Sequence, residues 1–416
     1  MNFRRTFFCA GITLLCWGAP NWGYAAPLAL TLPESIHLAL TRSHAVKIAE
    51  LDAAKASLEI KRNKATYWPT VSMTHEHTQI EKSPKPEYGN YLTAKLPLSD
   101  GGRTKSLVMQ SQEFYEGAAD NLEHTKQQVT ANTMLAYYNV LQAKSREDLA
   151  NQIVENLNQH LAQAKLQDPA KADSKKNVLR IESKLAQARQ NYIRIHNERQ
   201  LVTSQLTSLL QIQPDQELIL SEIPGQSTPE TLDLAIQTAL QQRNDLKQAR
   251  KEQAVAQWGI KVAASNKRPN IYLLFVASDL WLPEQYWYTT VSVSTNLFDA
   301  GRSNIQVRQA SLEEARSQEY LEQKIEKITQ ETREAFYYFQ QADIVMKEAA
   351  QFLAKSTEDY EVAVLEFQSG KTTNEDLLNS YSTLTEAKTN HINTLYDYHK
   401  CRVHLLRVTG MLPVTW

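Results

Sequence analysis

Residues 302–369 read RSNIQVRQASLEEARSQEYLEQKIEKITQETREAFYYFQQADIVMKEAAQFLAKSTEDYEVAVLEFQS and contain neither proline nor glycine. A continuous helix over this segment would be roughly 100 Å long, because an α-helix rises about 1.5 Å per residue. Helices of globular domains are usually much shorter, and this length is typical of coiled coils. The segment therefore predicts a fold that is organised around long helices.

A seven-residue repeat of apolar side chains runs through most of this segment. Positions spaced alternately by four and three are apolar except at Thr332 and Ser356, and from Ala335 onward small side chains alternate with large ones. This narrow stripe predicts a coiled-coil seam, in which small residues let two backbones approach and large ones fill the holes between them. Taken alone, the pattern fits a coiled-coil scaffold or tether equally well. The predicted seam consists of Leu321, Ile325, Ile328, Thr332, Ala335, Phe339, Ala342, Met346, Ala349, Leu353, Ser356, Tyr360, Ala363 and Phe367.

Residues 1–25 are predicted to be a secretory signal peptide. Two arginines precede the apolar run 7–17, and small residues before position 26 provide a cleavage site. The residue before Cys16 is leucine rather than a small residue, which argues against a lipid anchor at Cys16 but leaves it open. After cleavage, Cys401 would be the one remaining cysteine, so no intramolecular disulfide is expected.

Charge and hydropathy narrow the possible locations. The chain has 45 Lys and Arg residues against 46 Asp and Glu residues, a balance that gives no indication of a nucleic-acid partner. The mature sequence has no apolar run of about 18 residues, so no membrane-spanning helix is expected. An exported protein of this kind stays in the periplasm, is released, or enters a membrane as a β-barrel.

The sequence repeats itself at an offset of about 200 residues, which predicts two tandem copies of one unit. The copies are residues 26–213 and 230–416, and the proline-containing segment 214–229 connects them. Ile36, Leu40 and Pro69 recur as Ile236, Leu240 and Pro269; after a slip of one residue, Asp100, Gly102, Arg103, Tyr138, Leu185 and Pro214 recur as Asp299, Gly301, Arg302, Tyr337, Leu384 and Pro413.

Each copy is predicted to contain a helix, two strands, a long helix, a tight turn and a last helix. The long helix 103–167 can be matched in length only by 170–213 and 230–267 placed end to end, and 302–369 by 371–409 and 33–67. We therefore expect a cylinder wall of antiparallel helices. The hairpin tips are predicted at 167–173 and 368–373.

Four short strands are predicted at 69–79, 91–99, 270–280 and 286–298. Three of them alternate apolar and polar residues, and strands of about 9 to 11 residues cross a bilayer when tilted. An aromatic cluster lies near the start of the last strand, where a membrane-interface girdle would be expected; it consists of Trp281, Tyr286, Trp287 and Tyr288. An ordinary soluble four-stranded sheet is the alternative. Because four strands cannot close a barrel, several copies would have to pool them, and three copies would give 12.

The signal, the repeat, the paired strands and the helix hairpins together resemble the TolC-type outer-membrane factor (outer membrane efflux protein) family. The segments 98–103 (LSDGGR) and 297–302 (LFDAGR) resemble the strand-to-helix motif L-F-D-x-G-R of that family, once per repeat. The segment 367–372 (FQSGKT), followed by 376–378 (DLL), resembles its hairpin-tip motif. The strand-to-helix motif residues are Asp100, Gly102, Arg103, Asp299, Gly301 and Arg302.

The resemblance implies a mainly α fold with a small transmembrane β part. Three chains of such a homotrimer form a 12-stranded β-barrel in outer-membrane lipid and a long antiparallel coiled-coil helical barrel in the periplasm. The inner tip narrows to a closed aperture, which docks with a periplasmic adaptor (membrane fusion protein) coupled to an inner-membrane transporter. No nucleic acid is among the implied partners.

The same resemblance indicates site residues at the tip. The family carries acidic residues six and nine positions after the tip glycine; here these positions are Asp376 and Asn379, so a weaker cation site is expected unless Glu375 contributes. The alternative is that Asp376 only caps the last helix. Adaptor-contact candidates are Gly370 and Lys371 at the second tip, and Lys171 and Ala172 at the first, where Lys171 replaces the glycine.

A basic run follows the first tip, formed by Lys171, Lys175, Lys176 and Arg180. It would suit an acidic adaptor surface, but such a run is more often a solvated helix face.

The sequence contains no motif for enzymatic chemistry. It lacks a phosphate-binding glycine loop, Cys-x-x-Cys, Gly-x-Ser-x-Gly and His-Glu-x-x-His, so no catalytic residue and no cofactor are predicted. His75 and His77 share one strand face and could bind a metal, but histidines at such positions are more often plain rim or lumen residues, and no metal site is predicted.

These features predict a passive exit duct in the outer membrane, part of a tripartite efflux or type I secretion system. The sequence leaves open whether the cargo is a drug, a metal or a protein. A periplasmic coiled-coil scaffold or adaptor without a membrane barrel is the alternative.

Overall fold

The structure of the chain, a computed structural model, describes residues 28–78, 87–166, 172–213, 218–220, 228–278 and 286–413. The predicted signal peptide, Lys171 at the first tip, Trp281 of the aromatic cluster and most of the predicted connector lie outside these residues.

Long helices dominate the described part of the chain, as the sequence predicted. The helices are α1 (Leu32–Arg42), α2 (His44–Ala65), α3 (Arg103–Lys165), α4 (Ala172–Leu210), α5 (Leu232–Gln242), α6 (Asn244–Ser265), α7 (Arg302–Gln368) and α8 (Asn374–Val408). The strands are β1 (Leu28–Leu30), β2 (Thr70–Thr78), β3 (Glu87–Ser99), β4 (Leu218–Leu220), β5 (Asn270–Ser278) and β6 (Tyr286–Ser294).

The predicted repeat is visible in the element boundaries. The helices α1 and α2 have the same lengths as α5 and α6, 11 and 22 residues, and lie 200 positions before them in the sequence. The two long helices begin 199 positions apart, at Arg103 and Arg302. The unit that the sequence repeats is therefore also a structural unit.

The prediction of single helices over 33–67 and 230–267 was wrong, because each is broken after its third turn. Ser43 and Arg243 have extended backbone, with ψ of 122° and 121°. The Ser43 hydroxyl accepts a hydrogen bond from the Val46 amide and so caps α2. The helix α1 packs on α3 and α4, and α5 packs on α7.

The main sheet is antiparallel, with the strand order β2-β3-β5-β6. Val71 and Met73 of β2 lie opposite Ala94 and Leu92 of β3, so apolar residues share one face. The predicted strand bounds need correction, since β3 begins already at Glu87 and β6 ends at Ser294. The strands β2 and β6 lie at the two edges of the sheet.

The order of strands in the sheet sets the order of helices in the wall. Since α2 precedes β2, α3 follows β3, α6 precedes β5 and α7 follows β6, the helices next to the sheet pack in the order α2-α3-α6-α7. Nearer the tips, α4 and α8 take the places of α2 and α6 beside the long helices. The predicted match of 103–167 with 170–213 and 230–267 placed end to end was wrong, because α4 lies beyond α2 on one side of α3, whereas α6 lies on the other side, next to α8.

The predicted match of 302–369 with 33–67 was wrong within the chain. The helix α2 packs on α3, whereas α5 and α6 pack on the part of α7 that is nearer to the sheet. Strand pairing explains this difference, because β5 pairs with both β3 and β6 and thereby holds α6 between α3 and α7.

The predicted seam of α7 is confirmed, since each of its residues is buried or half-buried. Its polar member Thr332 donates a hydrogen bond to the Ile328 carbonyl of the same helix, 2.8 Å away, and so buries no unsatisfied hydroxyl. Phe339 and Tyr360 contact Tyr398 and Tyr381 of α8, with ring centroids 5.4 and 5.5 Å apart.

A second, two-stranded parallel sheet was not predicted. Leu28–Leu30 pairs with Leu218–Leu220, inside the predicted connector. Strands of three residues carry no measurable periodicity, so no sequence pattern indicated them. The hydroxyl of Tyr137 donates to the Leu30 carbonyl at 3.1 Å and fixes this sheet to α3. Within the part of the chain described here, no helix combines the length and apolarity needed to cross a membrane.

Candidate functional site

The second hairpin tip turns at Gly370. This residue has φ +71°, and its amide donates to the Phe367 carbonyl, while the Lys371 amide donates to the Glu366 carbonyl. These two bonds form a Schellman motif, which ends α7 and requires a left-handed residue at this position. The side chain of Lys371 is exposed beside it. The predicted tip motif therefore has a structural reason for its glycine.

Asp376 caps helix α8. Its carboxylate accepts hydrogen bonds from the hydroxyl of Thr373, 2.6 Å away, and from the Thr373 amide, while its own amide donates to the Thr373 hydroxyl. This reciprocal pair is a capping box. The bonds from Thr373, with one from the Thr372 hydroxyl, lower the pKa of Asp376 below its ordinary value. The geometry is that of the capping alternative, and the carboxylate remains exposed to solvent.

Glu375, next to Asp376, connects the two repeats. Its carboxylate lies 2.8 Å from the Arg180 guanidinium of α4, and this contact lowers the pKa of Glu375. One turn further along α4, the Lys184 ammonium donates to the Leu378 carbonyl at 3.3 Å and to the Ser382 hydroxyl at 3.0 Å. Two basic side chains of the first hairpin, Arg180 and Lys184, thus hold the start of α8 in place.

An apolar contact lies beneath these polar ones. Leu378 is buried against Ile181 of α4 and Ala164 of α3, and Tyr381 is buried one turn further, where its hydroxyl accepts a hydrogen bond from the Asn156 amide. The two hairpins therefore form one packed tip.

The remaining tip candidates are less closely bound. Asn379 is exposed on α8, and Ala172 is the first residue of α4. Arg180 belongs to the basic run that would suit an acidic adaptor surface, but its partner in the structure is Glu375 of the same chain. Lys184 was missed, because no spacing rule connects a lysine with a carbonyl almost 200 positions away.

The first strand-to-helix motif builds the start of α3. The carboxylate of Asp100 accepts from the Gly102 amide at 3.1 Å and from the Thr104 amide at 2.6 Å, and Gly102 has φ +85°. Arg103 donates to the Asn266 side chain at 2.7 Å, and Arg268 donates to the Gly101 carbonyl at 3.0 Å. Residues of the second repeat thus cover the strand-to-helix junction of the first repeat.

The second motif repeats this local geometry. Asp299 accepts from the Gly301 amide at 3.0 Å and from the Ser303 amide at 2.9 Å, and Gly301 has φ +83°. Among the described residues, however, nothing lies within 4 Å of the position where a Cβ on Gly301 would stand, and Arg302 is exposed. The two junctions therefore differ only in what covers them.

His75 and His77 lie on β2 on one face of the sheet, as predicted. The Nδ1 atom of His75 is 2.9 Å from the Asn90 side-chain oxygen of β3. Among residues 28–78, 87–166 and the other described ranges, no group of three or more His, Cys, Asp or Glu residues is arranged to hold a metal ion.

A buried charge cluster at the bend between α5 and α6 was also missed. Arg243 contacts Asp245 with two hydrogen bonds, 2.9 and 2.8 Å, and Glu331 of α7 at 2.7 Å; Lys324 of α7 lies 2.9 Å from Asp245. Burial would raise the pKa of Asp245, but the hydrogen bonds from Arg243 and Lys324 outweigh it and lower the pKa. The first repeat has serine where Arg243 stands, so the repeat pattern gave no signal.

The model of the family described as outer membrane efflux protein matches the chain twice, over residues 35–210 and 235–411. The two matches coincide with the two structural repeats. A search of curated protein sequences found no match.

Solved structures of outer-membrane channels have a similar fold. The CmeC outer membrane channel of Campylobacter jejuni has a TM-score of 0.78 at 16% identity, over 91% of this chain and 85% of that chain. For the open state of the MtrE outer membrane channel of Neisseria gonorrhoeae, the TM-score is 0.79 at 17% identity, over 91% and 88%. For the outer membrane protein VceC of Vibrio cholerae, the values are 0.75 and 14%, over 91% and 96%.

The structural matches establish the fold, and the family model establishes membership over both repeats. Membership sets aside the alternative of a scaffold without a membrane part. The chain therefore belongs to the outer membrane efflux protein family, and it is an exit duct of an efflux system in the outer membrane, with its helical part in the periplasm.

Proposed function

We propose that three copies of this chain assemble into a closed duct, with a 12-stranded β-barrel in the outer membrane and a continuous helical tunnel beneath it. The observation that carries this proposal is the four-stranded sheet with edge strands β2 and β6. An open sheet edge has unpaired backbone groups, which hydrocarbon cannot satisfy. Pairing of β6 with β2 of the next copy removes all edges.

The side chains of the sheet support this arrangement. On one face, Val71 and Met73 are exposed on β2, and Val291 and Val293 on β6. The opposite face is polar on β2, β3 and β6 and carries Lys95, whose ammonium lies 4.2 Å from the centre of the Tyr272 ring, whereas β5 places Leu274 on it. An apolar outer face and a polar inner face are what a water-filled barrel in lipid requires.

The helical wall has two open sides as well. Next to the sheet it begins with α2 and ends with α7, and both present large apolar residues to solvent in a single chain, such as Leu51 and Leu312. Contact between copies would cover both sides. A head-to-tail contact of this kind closes into a ring when its rotation is one third of a turn.

We propose the packed hairpin tip as the gate of the duct. The contacts of Arg180 with Glu375 and of Lys184 with Ser382 hold the second hairpin against the first. Opening would require these contacts to break, so that the hairpins separate. Asp376 and Asn379 would lie near the constriction, with one charge where the family pattern has two, which favours a weak cation site.

We also propose that a periplasmic adaptor, coupled to an inner-membrane transporter, docks at the tips. The candidate contacts are Gly370 and Lys371 at the second tip and Lys171 and Ala172 at the first. The duct itself would be passive, since transport energy would come from the pump. Export of proteins through a type I secretion system would use the same path.

The assembly can be tested on the full-length protein extracted from outer membranes. We expect a native mass of three chains in mild detergent and discrete conductance steps after insertion into a planar bilayer. A mass of one chain, under conditions that keep the fold by circular dichroism, would overturn the trimer. A trimer without conductance would overturn the duct.

A further inference from the structure

The contact between α3 and α6 joins the two repeats inside one chain. The Lys251 ammonium lies 3.0 Å from the Glu113 carboxylate, and the Gln110 amide donates to the Val255 carbonyl at 3.1 Å. Closer to the sheet, Arg103 donates to Asn266 at 2.7 Å. These contacts fix one register between the helices.

The repeat assigns an equivalent to each of these residues. Helix α7 corresponds to α3 with an offset of 199, and α2 corresponds to α6 with an offset of 200. Gln110 corresponds to Gln309, and Arg103 to Arg302, so the same donors recur on α7. Within the chain α2 packs on α3 and α7 packs on α6. The equivalent surfaces of α7 and α2 therefore face away from each other.

The equivalents of the ion pair between Lys251 and Glu113 are two leucines. They are Leu51 on α2 and Leu312 on α7, and they are 61% and 62% exposed in the single chain. The ion pair between α3 and α6 thus corresponds to a pair of apolar residues on α7 and α2. Two leucines can pack against each other, just as two opposite charges can pair. Water-exposed leucines at matched positions on two open sides favour burial against one another.

Based on the proposed trimer, we infer that α7 of each copy packs on α2 of the next in the same register in which α3 packs on α6. Leu312 then contacts Leu51 of the next copy, and Arg302 donates to Thr66, the equivalent of Asn266. The bare junction at Gly301 is covered by Trp68, the equivalent of Arg268, whose indole N–H replaces the guanidinium donor. Trp68 is 74% exposed in the single chain.

Residues in the part of α7 nearer to the hairpin tip also fit this register. Inside the chain, Asn156 of α3 donates to the Tyr381 hydroxyl of α8 at 3.2 Å. With the same offset of 199, their equivalents are Lys355 on α7 and Glu182 on α4, which have opposite charges. The register therefore brings groups of opposite charge near each other at a second, distant point, where they would join the ion pairs that Glu182 forms with Lys165 and that Lys355 forms with Glu358 within the chain.

Reciprocal substitution tests this register. We expect Leu51→Lys alone and Leu312→Glu alone to weaken the trimer, because each places one charge against an apolar side chain. The double variant L51K/L312E recreates the ion pair of the internal contact and should recover most of the trimer. The matched control L51E/L312E is equally polar but carries two like charges, and it should not recover. The readout is the trimer fraction by native mass in mild detergent, and each single variant should raise the dissociation constant roughly tenfold or more.

The outcomes separate this inference from the proposed function. If the wild-type chain is a trimer and the two double variants are equally impaired, lipid or another protein covers the leucines, and the inferred contact is wrong while the duct stands. If the wild-type chain is monomeric, both the trimer and the contact are overturned. Recovery in L51K/L312E alone supports the contact.

Discussion

The Arg180 guanidinium lies 2.8 Å from the Glu375 carboxylate, Nη1 to Oε2, and joins α4 of the first repeat to α8 of the second. Both residues stand near the ends of the long hairpins, where Lys184 forms two further hydrogen bonds between the repeats. The tip is thus held by polar groups that water can replace, over a small apolar contact centred on Leu378. Such a construction suits a part of the molecule that has to open and close.

Breaking these contacts should loosen the gate. We expect the double variant R180A/K184M to raise the single-channel conductance, because it removes the donors to Glu375, Leu378 and Ser382. Each exposed contact contributes little by itself, because water screens it, so single variants should have smaller effects than the double variant.

The matched control for this experiment is Lys165→Ala. Lys165 pairs with Glu182 at 3.1 Å, but both residues belong to the first hairpin. Its loss should leave the conductance unchanged. An equal increase in the control and in R180A/K184M would mean that contact between the repeats does not restrain the tip.

Two substitutions of Asp376 distinguish its role as a helix cap from a role in cation binding. Asp376→Asn keeps a side-chain acceptor for the Thr373 amide, whereas Asp376→Ala removes it. We expect the alanine variant to lower the melting temperature of the helices by circular dichroism and the asparagine variant to lower it less. If Asp376 also binds cations, both variants should weaken the block of conductance by divalent cations to the same extent.

The sign of the pH effect at this cap follows from the lowered pKa of Asp376. A carboxylate whose folded pKa lies below its ordinary value of 3.8 stabilises the fold above that value. The contribution is lost as the pH falls through the folded pKa. The difference in melting temperature between wild type and Asp376→Ala should therefore be constant near neutral pH and shrink below about pH 3.8. A difference that already disappears near pH 6 would contradict this assignment.

The charge cluster at the bend between α5 and α6 should be important for stability. Asp245→Asn removes the buried charge that faces both Arg243 and Lys324 and leaves Arg243 with Glu331 as its charged partner. Removing one side of a buried pair costs about 3–5 kcal/mol. The check is the free energy of unfolding by urea titration in detergent. Asp343→Asn is the control, because its partner Lys347 is exposed on the same helix, and this variant should be close to wild type. Equal effects would show that the cluster is not a buried unit.

The first strand-to-helix junction should be more sensitive than the second. Gly101→Ala places a Cβ about 2.5 Å from the Arg268 Cβ at φ +66°, so it adds a clash to the cost of about 1–2 kcal/mol for a left-handed residue. The equivalent Ala300 already has φ +53°. We therefore expect Gly101→Ala to lower the melting temperature by circular dichroism and Ala300→Gly to leave it unchanged or raise it. A larger loss in Ala300→Gly would contradict the difference in packing.

Much of the fold could be predicted from local patterns. The seam of α7 and the glycines of the strand-to-helix motifs are patterns of residues close together in the sequence, and the repeat is visible when the sequence is compared with itself. The breaks at Ser43 and Arg243 were missed because neither residue is a proline or a glycine, and helix propensity gives only a weak signal at such positions. The candidate site divides in the same way, since the turn at Gly370 was visible in the sequence and the partner of Glu375 was not.

The helices and strands could be predicted from the amino-acid sequence, because periodicity and turn residues act over a few positions, and comparison of the sequence with itself revealed the repeat. Which elements lie side by side depended on the folded structure. Pairing of β5 with β3 and β6 placed α6 between the two long helices, packing brought Arg180 to Glu375, and the positions of α2 and α7 at the open sides of the wall left Leu51 and Leu312 exposed. Contacts between residues about 100 to 200 positions apart depend on how whole elements pack, and no local pattern encodes them.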